Sequence, residues 1–450
     1  MGNDLAELMR SSADDAPPGD VDVASVVATG RRRVRRRRGL VGATALATAA
    51  VVTGAATLAL TSAGSNVDDD RLAASPPRPD APTIRLSDAE PAVEGRDYEE
   101  LTSYTNEDLE ADNGQYLDGV TDDGLVLFRD GPRADQRYPR FALLDPATGD
   151  KDWLPRLDID QTQTWPVELS TDRLVLAGMG APTSEDGLHV AQLAYVFDRD
   201  ARTWRTMSWP DLPGVELPAG DVGPDGRLYV TTPDTQGAIP EGGWPVGTDG
   251  EAEDADAEGD TFRLWSVSLT DADDVRDEGL VVGDVAFTDD AMVWTDSSNG
   301  DAGMVHVRDL ATGEETAFDP RTGERCNLLG LGASGDRIVL SQYCGTYADG
   351  VRDDRVQILS TDGEQVVTIQ DSGAEGWLPA GSEVVNLTVY GGEHGGTYAY
   401  DLAGGRFLRL SEDVSSYGLG GPTGQPRELM WHTPENRGRG ATQHLGRLLD

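Results

Sequence analysis

Short apolar runs, each introduced by a turn residue or polar pair, recur along the chain from residue 123 onward. Asp123-Gly124 leads into Leu125-Val126-Leu127-Phe128, and Asp172-Arg173 into Leu174-Val175-Leu176. The cadence returns as Gly226-Arg227 with Leu228-Tyr229-Val230, Asp290 with Ala291-Met292-Val293-Trp294, and Asp336-Arg337 with Ile338-Val339-Leu340. Ser382-Glu383 with Val384-Val385 and Arg427-Glu428 with Leu429-Met430-Trp431 complete seven copies. Short apolar runs bounded by turns read as strands. Measured from residues 123, 172, 225, 290, 336, 382 and 427, the intervals are 49, 53, 65, 46, 46 and 45. A period near 45 to 50 made of short strands predicts an all-β fold, a β-propeller of four-stranded blades. Seven signals predict seven blades, with six or eight as alternatives. The interval of 65 is lengthened by residues 249–260, seven acids among twelve residues, which read as an exposed loop inserted into the third unit.

A second element follows most of these runs. Phe141-Ala142-Leu143-Leu144 enters Asp145-Pro146-Ala147-Thr148-Gly149, with Trp153 beyond it, and Val305-His306-Val307-Arg308 enters Asp309-Leu310-Ala311-Thr312-Gly313. Partial copies carry Asp198 with Trp204, Asp362 with Gly363, and Asp401 with Gly404 and Gly405. Asp accepts hydrogen bonds from backbone N–H groups two or three residues on, and Gly supplies the positive φ that closes the turn. Asp145, Thr148, Gly149, Asp309, Thr312 and Gly313 are therefore read as blade turns. The run from Leu144 to Trp153 resembles the repeat of quinoprotein-like propellers, in which an Asp, a Thr-Gly pair and a Trp dock neighbouring blades. The resemblance implies the fold. It supplies no ligands for the quinone, so no cofactor is expected.

Charge changes the picture at the N-terminus. The chain holds 80 acidic and 37 basic residues, of which residues 1–38 carry 6 and 8, leaving 74 and 29 in residues 39–450. Arg31, Arg32, Arg33, Arg35, Arg36, Arg37 and Arg38 stand directly before Gly39 to Ala63, 25 residues without a charge. Roughly 20 residues of helix cross a bilayer core of about 30 Å. The arginines predict a single span with a cytoplasmic N-terminus, since positive charge is retained inside. A cleaved signal peptide, with Thr61 and Ala63 as small residues at its cleavage site, is the alternative. The expected divisions are a cytoplasmic tail over 1–38, a transmembrane helix over 39–63, a disordered linker over 64–82 and an extracytoplasmic propeller over 83–450. Residues 1–30 are expected to form two short helices, marginal alone, that either dock on a cytoplasmic partner or make up a solvated leader. The whole arrangement resembles a group of membrane-anchored propeller proteins of high-GC Gram-positive bacteria, a resemblance that implies no particular activity.

The acid excess argues against nucleic acid as a partner. His189, His306, His394, His432 and His444 include no i, i+4 pair and no cysteine neighbour, so no zinc site is expected. Neither a Gly-x-Ser-x-Gly elbow nor a phosphate loop is present. The runs Asp271-Ala272-Asp273-Asp274 and Asp296 to Asp301 lack the spacing of a calcium loop and read as turns. Asn386-Leu387-Thr388 is formally a glycosylation sequon but lies in a strand-like run. Cys326 and Cys344 flank two predicted strands joined by a turn, and a disulfide is expected in an oxidising compartment, against two buried thiols. Thr83 to Ser87 alternates apolar with polar residues and is expected to close the ring by pairing with Ala441 to Leu449. The chain thus reads as a binding, scaffolding or sensing module of the cell envelope, not an enzyme, with an envelope protein or glycan as ligand. The alternatives are an envelope enzyme assembled from loops of several blades, and a transmembrane regulator acting through the tail.

Overall fold

The computed structural model describes residues 82–450 apart from 110–113, 132–137, 158–163, 185–188, 217–219, 248–250, 324, 348–350, 391 and 415–424. The arginine run, the expected span at 39–63 and residues 64–81 of the linker lie outside these residues. Among the described residues no helix is long and apolar enough to cross a membrane.

Seven antiparallel sheets follow one another along the chain. Blade 1 consists of Gln115–Val120, Val126–Asp130, Arg140–Leu144 and Lys151–Trp153. Blade 2 consists of Thr164–Leu169, Arg173–Pro182, Val190–Asp198 and Thr203–Ser208, and blade 3 of Asp221–Val222, Leu228–Thr235, Thr261–Val267 and Val275–Val282. Blade 4 holds Val285–Phe287, Ala291–Thr295, Val305–Asp309 and Glu315–Phe318. Asn327–Ser334, Arg337–Thr346, Arg352–Ser360 and Gln365–Gln370 make blade 5, and Glu375–Trp377, Val384–Val389, Gly396–Asp401 and Phe407–Ser411 make blade 6. Blade 7 joins Glu428–Glu435 and Gly440–Leu448 to Tyr98–Asn106 from the start of the propeller. First strands touch one another between blades 1 and 2, 2 and 3, 4 and 5, and 5 and 6, which places them at the hub of a seven-bladed propeller.

The continuous apolar runs are second strands covered on both faces. Val126, Leu127 and Phe128 are fully buried, as are Leu174 and Val175. The described core divides into apolar clusters that each straddle two neighbouring blades. Phe128 meets Leu445 between blades 1 and 7, and Phe262 meets Trp294 between blades 3 and 4. Val356 meets Leu387 between blades 5 and 6. At about 1.5–3 kcal/mol for each large side chain buried, an interface of this kind is stable only when both blades are present. Gly376 lets the first strand of blade 6 approach blade 5, since a Cβ there would lie 2.9 Å from both Val356 methyls.

The ring does not close as expected from the sequence. Thr83–Ile84 runs parallel to the outer strand of blade 5, pairing with Thr368 and Ile369, and Glu90–Pro91 runs parallel to the outer strand of blade 6. Tyr98–Asn106 then supplies the outer strand of blade 7, in register from Ala441↔Asn106 to Leu448↔Tyr98. The partner strand was foreseen and the donor was not. Five residues at Thr83 cannot match a nine-residue strand, whereas Tyr98–Asn106 has equal length and contributes Leu101 and Tyr104 to the interface with blade 1.

Two buried amides bind that closing blade to blade 1. Gln443 accepts from the Leu117 N–H at 2.8 Å and donates to the Leu117 carbonyl at 3.1 Å. Asn106 donates to the Gln115 carbonyl and accepts from its N–H at 3.1 Å. Each amide thus satisfies both backbone groups of an inner-strand residue that has no strand on its hub side. Gln443→Ala leaves a buried N–H and carbonyl unpaired and is expected to cost about 2 kcal/mol or more. Arg85→Ala, which removes one exposed hydrogen bond to Gln370 on the outer edge of blade 5, is expected to cost less than about 0.5 kcal/mol. Thermal unfolding of the two variants checks this, and equal losses would contradict the closure described.

Candidate functional site

The two ends of the propeller differ in construction. At one end the connections between first and second strands, and between third and fourth strands, are tight turns. Thr121, Ser170 and Thr288 hydroxyls donate to Asp123, Asp172 and Asp290 at 2.6, 2.8 and 2.9 Å. Asp145 accepts from the Ala147 N–H at 2.8 Å, and Asp309 accepts from those of Ala311 and Thr312 at 2.9 and 2.7 Å. Gly149 and Gly313 close these turns at φ 76° and 73°. The six blade-turn residues thus lie at this end and have a scaffolding geometry. Blade docking by tryptophan is carried by a weaker copy of the repeat: Trp204 of blade 2 donates its indole N–H to Pro155, beyond blade 1, at 2.9 Å.

The opposite end carries the long connections, and one of them crosses blades. Residues 236–247 and 251–260, between the second and third strands of blade 3, reach over blade 4 to blade 5. Asp260 accepts from the Gly237 N–H at 2.6 Å, and the Asp301 N–H of blade 4 donates to the Ala257 carbonyl at 3.3 Å. Further along, the Glu253 carboxylate accepts from Thr346 of blade 5 at 3.0 Å and from the phenol of Tyr343. The expectation of an exposed acidic loop is corrected: Ala257 and Asp260 are buried, and the segment is a strap anchored through Glu253 and Asp260, with Asp256 and Glu258 exposed.

The strap ends beside the Cys326–Cys344 disulfide, which joins the start of the first strand of blade 5 to its second strand. Around it the arginines are committed to carboxylates. Arg352 lies 3.8 Å over the Tyr343 ring and 3.3 Å from Asp354. Arg355 grips Asp353 with two bonds of 2.9 and 2.6 Å, and the Tyr347 phenol donates to the same carboxylate at 2.7 Å. Burial pushes Asp353 up, but the hydrogen bonds from Arg355, Tyr347 and Gln370 outweigh it and hold the carboxyl below its ordinary range. For Asp354 burial wins over Arg352, and the carboxyl is raised.

Three carboxylates stand at the hub on this same end. Asp221 opens the first strand of blade 3, Asp284 directly precedes that of blade 4, and Glu375 opens that of blade 6. Burial pushes Asp221 and Asp284 up to about 7, Asp284 keeping one hydrogen bond of 2.8 Å from Ser298. Glu375 is raised by crowding of protein and then by the charge of Asp354, although it remains open to solvent. Glu375 has no cationic or hydrogen-bonding partner among the described residues. It pairs with Thr388 across the ladder, and Tyr390 lies just past the end of that partner strand, two residues beyond Thr388. Tyr390 is 51% exposed as a residue, while partial burial and Glu375 push its phenol up to about 12. An unpaired carboxylate beside an accessible aromatic ring is equipped to hold a polar or cationic ligand group.

Other residues singled out in the sequence are occupied structurally. Asp271 caps its own turn through the Asp273 N–H, and Asp274 pairs with Arg227 at 2.6 Å. Asp296 bonds His306, and Asp301 bonds the Gly303 N–H. Asn386 lies in a fully buried strand. The described residues contain no group of three or more His, Cys, Asp or Glu placed to hold a metal ion. His306 and His444 occupy matching places in blades 4 and 7, stacked on Trp294 and Trp431 with centroids 5.0 Å apart. Glu375, Tyr390, Asp221 and Asp284 were not singled out. A signal was present: Gly220-Asp221, Gly283-Asp284 and Ala374-Glu375 each put an acid after a small residue at the entry to an inner strand.

No protein-family model matches the chain, and no curated protein matches it. Similar solved structures include an oligogalacturonate lyase in complex with manganese, 12% identical over 80% of this chain and 95% of that one, with a TM-score of 0.46. The β-propeller domain of the Trilobed protease from Pyrococcus furiosus is 10% identical over 65% and 80%, with a TM-score of 0.39. TolB from Acinetobacter baumannii is 12% identical over 69% and 77%, with a TM-score of 0.33. A prolyl endopeptidase and an acylaminoacyl peptidase from Pyrococcus horikoshii are also similar, with this chain spanning under half their length. The expectation of a protein that is not an enzyme is corrected: the solved structures similar to this chain include a lyase and peptidases.

Two outcomes follow from the local chemistry. Cys344→Ser opens an 18-residue loop and is expected to lower stability by about 3 kcal/mol on the chain-entropy scale, measured by denaturant unfolding; no loss relative to the parent would contradict the bridge. The carboxylate of Asp296, bonded to His306 at 2.8 Å, raises the imidazole's pKa above its ordinary value against the effect of burial, with Glu315 adding to it. A raised folded-state pKa gives a contribution complete below the unfolded value and lost as pH rises through the folded one. Asp296→Asn is expected to shift the His306 titration to lower pH, read from its ring proton resonances, and an unmoved titration would refute the assignment.

Proposed function

We propose that the chain is a membrane-anchored, extracytoplasmic propeller that receives an envelope ligand, protein or glycan, at the loop end of blades 5 and 6. The arginine run before residues 39–63 supports the anchor and its orientation, and the acidic propeller beyond suits the outer side. The observation that carries the site is Glu375, a solvent-reached carboxylate with no partner among the described residues, beside the half-exposed Tyr390. A rigid aromatic side chain of this kind gives contact area with little ordering cost.

The test is position-specific photocrosslinking in intact cells of the source organism. A photoreactive residue at position 390 is expected to give a discrete adduct with an envelope component, whereas one at the exposed position 147, in a tight turn at the other end, is expected to give none. Absence of an adduct at 390, or the same adduct from both positions, would overturn the reading.

A further inference from the structure

We propose that the Cys326–Cys344 disulfide is a redox site, reduced in the folded protein by a dithiol of the kind that thiol–disulfide exchange proteins carry, and that its reduction frees the strap from the loop end. The bridge sits where two landings of the strap meet. Asn327 and Tyr343 are the last pair of the ladder between the first two strands of blade 5, and the two cysteines stand one step beyond that pair. Tyr343 belongs to one landing. Its phenol donates to the Glu253 carboxylate, as does the Thr346 hydroxyl at 3.0 Å, and a Cβ at Gly345 would lie 3.9 Å from that of Ala255. Asn327 belongs to the other. It bridges to Asp301 of blade 4, whose N–H donates to the Ala257 carbonyl at 3.3 Å, while the adjoining Leu328 N–H donates to the Gly300 carbonyl at 2.8 Å.

The backbone gives that ladder end little other support. The second strand of blade 5 bulges between Tyr343 and Thr346, which interrupts its pairing with the third strand at Cys344 and Gly345. Seven residue pairs hold the hairpin further along, so opening the bridge loosens the open end and leaves the hairpin in place. Access is one-sided: Cys326 is buried, while Cys344 is partly exposed. A thiolate of the reductant attacks the Cys344 sulfur and forms a mixed disulfide, and the Cys326 sulfur leaves as a thiolate that takes a proton from solvent. The second thiol of the reductant then displaces Cys344, leaving two protein thiols and one oxidised dithiol. Two electrons have passed into the bridge. With the ladder end loosened, both landings give way together. The freed strap uncovers the Ser297–Ser298 segment, against which Gly259 now packs so closely that a Cβ there would lie 2.8 Å from the Ser298 carbonyl oxygen. Redox state thus sets access to the loop end between blades 3 and 5, through residues that include neither Glu375 nor Tyr390.

The experiment uses the full chain in nanodiscs with dithiothreitol as the reductant, alkylation to detect thiols and hydrogen exchange to follow the strap. Both cysteines are expected to be alkylated without denaturant. Exchange of the Asp260 and Asp301 amides, which join the strap to blade 4, is expected to rise at least about tenfold, the scale of one lost hydrogen bond to a charged acceptor. The amides of Val126–Asp130 in blade 1 are expected to keep their protection. The double variant Cys326→Ser, Cys344→Ser is expected to exchange at the reduced level with or without dithiothreitol. Glu253→Ala, which removes one anchor and keeps the bridge, is expected to reach that level in the oxidised protein. A bridge reduced only on unfolding would overturn the proposal, as would unchanged exchange of Asp260 and Asp301 after reduction. An equal rise in Val126–Asp130 would show loss of the fold in place of strap release and would overturn it too. Unchanged exchange in Glu253→Ala would reject the route from the bridge to the strap.

Discussion

The ladder of eight residue pairs between Tyr98–Asn106 and Gly440–Leu448 turns a succession of sheets into a ring. Each apolar cluster in this molecule lies between two blades, so no blade can bury its own core, and the blades at the two ends of the chain would each keep one bare face if the ring stayed open. The closing strand removes both bare faces together. The amides of Asn106 and Gln443 complete the join by satisfying the hub-side backbone of Gln115 and Leu117, groups that would otherwise be buried without partners.

Once closed, the ring fixes the inner strands, and the candidate site depends on them. Glu375 reaches its position because Gly376 admits the first strand of blade 6 against Val356, and because the Gly376 N–H is held by Ser341 of blade 5 at 3.3 Å. The tight-turn end is built from hydrogen bonds among its own residues and from ion pairs such as Arg199 with Asp123 at 2.8 Å and Arg427 with Asp401 at 3.2 Å. The loop end differs in its long connections. The strap crosses from blade 3 to blade 5, the disulfide holds the strand it lands on, and ion pairs neutralise the arginines. What is left over is a carboxylate and a ring on blade 6. That asymmetry places the chemistry at one end of the propeller while the other end acts as its base.

The second strands were legible because burial on both faces leaves continuous apolar runs, such as Val126 to Phe128. The blade turns were legible because Asp and Gly are demanded by backbone geometry at fixed offsets. Inner strands were harder: Asp221–Val222 and Val285–Phe287 are too short to leave a periodic trace. Tyr98–Asn106 was missed because an outer strand keeps much of its length exposed, here Glu99, Glu100, Ser103 and Thr105, and its identity depends on pairing with residues more than three hundred positions away. The acidic segment at 249–260 looked solvated because composition does not reveal that Glu253 meets Tyr343. The site was opaque for a related reason. An unpaired carboxylate is recognisable only after every neighbouring charge has been matched, and the sequence does not show which of 80 acids lack a partner.

The central claim, that one N-terminal strand closes the ring and thereby holds every blade in place, is tested most directly by native-state hydrogen exchange on the full chain. If it is correct, the amides of Tyr98–Asn106 that face Gly440–Leu448 exchange in the slowest class, together with those of the second and third strands of blades 1 and 6 on either side. Exchange of Tyr98–Asn106 at the rate of the exposed loops, with the rest of the propeller still protected, would show that the ring holds without it and would contradict the account.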